Sequence, residues 1–200
     1  THPAFVAIKD QVHVVENQFH LPPAISFLRV HELRQYGDDL SSFRRTVLTA
    51  NQTQQPVSGL EVGRNGLSVR GVAPVSNAGR FIGTVEFGLD VDRAVLEDLQ
   101  GQAQADWHLL LNKAAIETAT LEGSRSWVLG PTEALYVQAS TQDAPIYAPA
   151  AAYEAALLGD VRIENVARGS RQYAVLTAPL RDFAGTIIGV VNVVTDRAAT

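Results

Sequence analysis

The stretch APVSNAGRFIGTVEF at residues 73–87 returns as APLRDFAGTIIGVVNV at 178–193. Each copy reads as an apolar strand carrying Ala-Pro, a short polar turn closed by Gly79 or Gly185, and a second apolar strand opening with Ile-Gly. Glycine supplies the positive φ that a tight reversal requires, so each copy predicts a β-hairpin. The tails match as well: DVDRA follows at 90–94 and TDRA at 195–198. One large-period repeat is too few for a solenoid, which needs three or more units to bury its faces. The chain therefore reads as two copies of one α/β module.

Around these hairpins the pattern divides readily. Phe5, Ile8, Val12, Val15 and Phe19 fall three to four apart, which predicts a leading helix over 4–20 that Pro22 and Pro23 terminate. A short strand is expected over 25–31, a polar loop over 32–39, and a helix through Phe43, Val47 and Ala50 with Ser41 or Ser42 as its N-cap. Strands follow at 57–62, 67–75 and 80–89. A connecting helix over 91–104 leads to a second set: a strand at 106–111, a helical turn at 114–119, a poorly patterned stretch over 122–149, a helix over 150–158, and strands at 161–166, 171–179 and 186–195. Hairpins with helices beside an antiparallel sheet make each half an α+β module. The boundaries are a leading helix over 1–23, a first module over 24–90, a connecting helix over 91–105 and a second module over 106–200.

Composition removes several function classes. A formal net charge of −5 with no basic cluster disfavours nucleic acid as a partner. No apolar run reaches the roughly 20 residues of a membrane span, and the absence of Cys excludes disulfides and thiolate chemistry. The chain opens without Met at Thr1-His2-Pro3 and reads as a piece of something longer. The histidines at 2, 13, 20, 31 and 108 form no zinc pattern, and no nucleophile stands beside a plausible base, so neither a metal, a cofactor nor a catalytic residue is expected.

The layout of a leading helix and two tandem modules resembles the double-Cache (tandem PAS-like) extracytoplasmic sensor domains of bacterial chemotaxis receptors and sensor histidine kinases. The segments FLRVHE (27–32), YGDDLSSFR (36–44) and VSGLEVGRNGLSVRG (57–71) carry the resemblance. It implies a membrane-distal first module, a membrane-proximal second module and flanking transmembrane helices. It further implies a periplasmic or extracellular domain of an inner-membrane protein, no enzymatic activity, and room for a homodimer in the full-length receptor. The ligand class it implies is a small organic anion such as a carboxylate, held in the distal module.

Six residues are candidates for that site. Strand alternation puts Phe27, Arg29 and His31 on one face, where Arg offers a planar fork and His a pH-tunable hydrogen bond. Arg70 lies in an apolar strand and must meet either a protein carboxylate or a ligand, with Gly71 leaving space beside it. Glu61 is the internal partner expected for Arg70, and Glu61 or Asp39 for Arg29. Tyr36 offers a hydroxyl at the pocket mouth, and Asp39 either joins the site or forms an Asx turn with Asp38. The second module's Trp107, Trp127, Tyr136, Tyr147, Tyr153 and Tyr173 read as core. Two other functions stay open: a module that senses a periplasmic binding protein, and a small hydrolase or lyase using Arg70, His31 and Asp39.

Overall fold

The computed structural model describes residues 14–64, 66–119 and 127–199. The chain divides into two compact units, Thr1–Asp90 and Val91–Thr200. In unit 1 a hairpin of β1 (Glu16–Leu21) and β2 (Ile25–Arg29) is followed by α1 (Arg45–Thr53) and three strands, β3 (Val57–Gly63), β4 (Gly66–Asn77) and β5 (Arg80–Asp90). All pairings are antiparallel, in the order β2-β1-β5-β4-β3. Unit 2 contains α2 (Arg93–Ala103), β6 (Asp106–Asn112), α3 (Lys113–Thr118), β7 (Val128–Leu129), β8 (Leu135–Ser140), α4 (Ala150–Leu157), β9 (Arg162–Arg168), β10 (Arg171–Arg181) and β11 (Ile187–Asp196). Its order is β7-β8-β6-β11-β10-β9, the arrangement of unit 1 with one short strand added at the edge.

The repeated sequence forms the β4–β5 and β10–β11 hairpins. Both hairpins shift register just after the Ala-Pro strand residues, between Val75 and Ser76 and between Leu180 and Arg181. The Ile-Gly step has a steric cause that is the same in both copies. A Cβ at Gly83 would stand 2.1 Å from the carbonyl oxygen of His20 on β1, and one at Gly189 would stand 1.9 Å from that of Leu110 on β6. No side chain fits there, so glycine is what lets the central strands approach.

Two expectations need correction. The helix expected over 4–20 is not found where the structure describes it: Glu16–Leu21 is a strand lying between β2 and β5, while residues 1–13 fall outside the described residues. Its inward positions Glu16, Gln18 and His20 are polar and buried, so the spacing of Val15 and Phe19 mimicked a helical stripe. The second concerns the N-cap. Helix α1 begins later than predicted and has no side-chain cap from Ser41 or Ser42. The carboxylate of Glu61, on β3, accepts from the Thr46 backbone N–H at 2.9 Å and so caps the helix from the sheet.

The two cores differ. Unit 2 packs Leu110, Leu135, Val175, Val190 and Val194 against Ala152, Tyr153 and Ala156 of α4. Among the described residues unit 1 clusters Ala24, Leu40, Val47, Ala50 and Val72 in the equivalent layer, where Glu16, Gln18, His20, Glu61, Arg70 and Glu86 are also buried. Among the described residues no helix is long and apolar enough to cross a membrane.

Candidate functional site

On the face of unit 1's sheet that α1 covers, cross-strand register brings charge together. Gln18 pairs with Glu86, Arg70 with Gly88, and Glu61 with Ser68, so these residues share one face. Arg70, 1% exposed, donates from Nη1 to both Glu16 and Glu86. Arg44 donates from Nε to Glu61 at 2.8 Å and from Nη2 to Glu86, and the Thr46 hydroxyl donates to Glu61 at 2.6 Å. Room for the Arg70 fork comes from Gly63, where a Cβ would meet Nη2 at 2.1 Å. Gly71 faces open space instead of making room on the inner side.

Electrostatics follow from this packing. Burial favours a neutral Glu86, but the guanidinium of Arg44, then that of Arg70, overcomes it and holds the carboxylate below its ordinary range. His20 stands 3.8 Å from Glu86, yet its own burial pushes it down to about 4, so the ring is neutral at pH 7. Buried ion pairs of this kind require every member to be partnered. The guanidiniums and carboxylates of the network face each other, while among the described residues Arg70 Nε and His20 Nε2 have no hydrogen-bond partner.

A second cluster lies in a cleft of about 270 Å³ lined by Arg29, Arg34, Gln35, Tyr36, Asp38 and Arg64. Arg29 makes a bidentate pair with Asp38, both bonds 2.8 Å, and also donates to the Gln35 carbonyl at 3.0 Å. The Arg29 fork holds the Asp38 carboxyl below its ordinary range. Arg64 stacks over the Phe43 ring at 5.6 Å and reaches Asp38 at only 3.7 Å, and its buried Nε has no hydrogen-bond partner among the described residues. The lining thus carries three guanidiniums and one carboxylate, an excess of two positive charges.

The predicted residues do not all meet. Arg29 and Tyr36 line the cleft, Tyr36 with most of its surface exposed. Arg70 and Glu61 lie in the interior network, and neither pairs with the other: Arg70 holds Glu16 and Glu86, and Glu61 holds Arg44. Asp39 accepts from the Ser41 N–H at 2.8 Å in an Asx turn, and Ser41, through its hydroxyl first and its N–H second, holds the Asp39 carboxyl below its ordinary range. His31 Nδ1 lies 3.1 Å from both the N and O of Asn17. The shared face of Phe27 and Arg29 is undone by a bulge: Phe19 pairs with Leu28 but His20 with Ser26, so Phe27 is the extra residue and turns outward while Arg29 turns in. Arg34 and Arg64 were missed because both sit in segments read as loop and turn, where an arginine carries no periodic signal.

A family model described as the double sensory domain of two-component sensor kinases matches residues 1–200. No curated protein matches the chain. Among solved structures it is similar to the ligand-binding domain of the Campylobacter jejuni chemoreceptor Tlp3 in complex with 4-methylisoleucine, at 10% identity and TM-score 0.46, covering 99% of this chain and 71% of that one. It is similar also to the sensor domain of the V. cholerae histidine kinase DctB, at 9% identity and TM-score 0.46, over 98% and 78% of the two chains. A domain of a sensory box/GGDEF family protein from Vibrio parahaemolyticus aligns at 11% identity and TM-score 0.47, over 98% and 76%.

Proposed function

The chain belongs to the family of double sensory domains of two-component sensor kinases, and from that premise we propose that it is the extracytoplasmic ligand-binding domain of a transmembrane receptor, with a small organic anion held in unit 1. The family is sensory, not catalytic. The observation that supports the anion is the cleft lining, which carries Arg29, Arg34 and Arg64 against the single carboxylate of Asp38, and in which Arg64 Nε has no hydrogen-bond partner among the described residues. A guest carboxylate matches the planar donor fork of a guanidinium, and Tyr36 adds a hydroxyl at the rim. A ligand there acts on signalling by binding two conformations of the module unequally, and its effect cannot exceed that difference in affinity.

The test is a thermal-shift and calorimetric screen of small mono- and dicarboxylates on the intact 200-residue chain. A charge-assisted contact is worth about 1.5–3 kcal/mol, so Arg64→Ala weakens binding by roughly ten- to a hundredfold while the fold persists. Unchanged affinity in the Arg34→Ala/Arg64→Ala double variant overturns the reading, as does a panel in which no anion binds.

A further inference from the structure

One edge of unit 2's sheet is β9, seven residues long, and it is built unlike the other sheet edges. Strand β10 pairs with one side of it; among the described residues nothing pairs with the other side. The remaining edges are blunted. Strand β2 is covered by the loop that follows it, through the Ile25–Asp39 bridge and backbone bonds from Ser26 N to the Asp38 carbonyl at 3.0 Å and from Gly37 N to the Ser26 carbonyl at 2.7 Å. Strand β7 has two residues. Strand β3, the edge of unit 1, follows directly on Pro56 and contains Gly59 and Gly63. Cover, shortness and proline are common defences of an edge against further pairing, and glycine weakens a strand. Register makes Arg70 equivalent to Val175 and Glu86 to Asn192, so Val57, Ser58 and Gly59 of β3 stand where β9 has Arg162, Ile163 and Glu164.

Strand β9 lacks those defences. No Pro or Gly interrupts residues 160–168, Ile163 is 68% exposed, and Val161 just before the strand is 56% exposed. Charge on an edge also discourages pairing, but here the signs alternate. Arg162 and Glu164 lie on one face with Ile163 between them on the other. Arg162 bonds its near neighbour Asp160 at 2.8 Å, and Glu164 has no ion pair among the described residues. A second copy of the same strand complements this pattern. Two antiparallel copies related by a two-fold axis keep matching faces on one side, and residues equidistant from the axis stand opposite each other. With the axis at Ile163, Arg162 of each copy faces Glu164 of the other, so opposite charges meet twice and the two Ile163 side chains meet each other. An axis at Glu164 sets that carboxylate against itself, and one at Asn165 sets Arg162 against Arg168 twice; like charges directly opposite destabilise a strand pair. An axis at Val166 pairs Glu164 with Arg168, which already donates to the Ala144 carbonyl at 2.8 Å, and leaves Ile163 opposite the turn residue Gly169. The register centred on Ile163 therefore matches the charges and covers the exposed isoleucine.

We propose that β9 is a self-association edge, through which two copies of this chain join antiparallel with Ile163 on the two-fold axis. A single strand pair buries little area and belongs among the small, transient interfaces, so the test captures it covalently. The chain has no Cys, and Ile163→Cys therefore introduces its one thiol. Residues opposed across antiparallel strands lie about 4.5–5.5 Å apart at Cα, within the reach of a disulfide. Under mild oxidation Ile163→Cys forms the disulfide dimer at least tenfold faster than Ser58→Cys, the exposed equivalent position on β3. Adding Arg162→Glu slows this crosslinking at least tenfold, since each copy then sets two carboxylates opposite each other. Adding Glu164→Arg instead slows it equally, although that change lowers the chain's net negative charge and would speed random encounter. The two changes together restore the original rate to within about threefold, because the opposite charges face each other again. An Ile163→Cys rate no faster than that of Ser58→Cys overturns the proposal, as does a double charge exchange that fails to restore it. Equally fast crosslinking of Val166→Cys overturns the register.

Discussion

The two units share a strand order, a hairpin, a register shift and a glycine at the same step, yet their interiors are built on opposite principles. Unit 2 is held by apolar burial, with Leu110, Leu135, Val175, Val190 and Val194 under α4. Unit 1 places Arg44, Arg70, Glu16, Glu61 and Glu86 in the corresponding layer, each nearly free of solvent. Backbone constraints are what the repeat preserves, since a Cβ at Gly83 or Gly189 collides with a neighbouring carbonyl whatever the interior contains. Side chains at equivalent positions are free to differ, and the exchange of Arg70 for Val175 and of Glu86 for Asn192 turns an ionic layer into an apolar one that still buries Asn192. A layer held by directional ion pairs has few alternative packings, while an apolar one tolerates repacking.

The largest test of this contrast removes one ion-pair member. Arg70→Met leaves Glu16 and Glu86 facing an apolar side chain and lowers the stability of unit 1 by about 3–5 kcal/mol, the usual cost of breaking a buried pair. Urea unfolding monitored separately in each unit should show the loss in unit 1 alone; a change under about 1 kcal/mol would mean that the ionic layer is dispensable.

Protonation probes both interiors at once. Burial pushes His20 and His108 down to about 4 from an ordinary 6.5. Above pH 6.5 neither folded nor unfolded chain protonates them and they contribute nothing. Between 6.5 and about 4 the unfolded chain binds protons that the folded chain refuses, so stability falls with pH by up to about 3 kcal/mol per histidine. Asp38 and Glu86, both held below the ordinary carboxylate range, add to the loss as pH falls through that range. Urea midpoints that agree at pH 7.5 and 5 would contradict two buried neutral imidazoles. The smallest effect is expected at Asp39, whose carboxylate serves the Ser41 turn. Asp39→Ala should leave anion affinity within about twofold, whereas a tenfold loss would return this residue to the site.

The fold was legible because hairpin chemistry is local: Gly79 and Gly185 mark reversals, and alternating apolar residues mark strands. Strand β1 was hidden for the reason that makes unit 1 unusual. Its inward residues Glu16, Gln18 and His20 are polar, so a reading that equates inward with apolar assigns the wrong period. Arg70 was rightly singled out as an arginine that must meet a partner, but its partners Glu16 and Glu86 lie 54 and 16 residues away and only register brings them together. The outward turn of Phe27 depends on a bulge that nothing in the local sequence announces. Arg34 and Arg64 gain their role from the cleft alone.

The central claim is that unit 1 receives its anion at the open cleft and not at the buried ionic network. Its most direct test is the guanidinium spectrum of the 15N-arginine-labelled chain during titration with a small carboxylate. The account predicts saturable shifts for Arg64 and Arg34, a smaller one for Arg29 as it shares its fork with Asp38, and none for the buried Arg44 and Arg70. Shifts at Arg44 and Arg70 with Arg64 unmoved would contradict it, placing the ligand in the interior network.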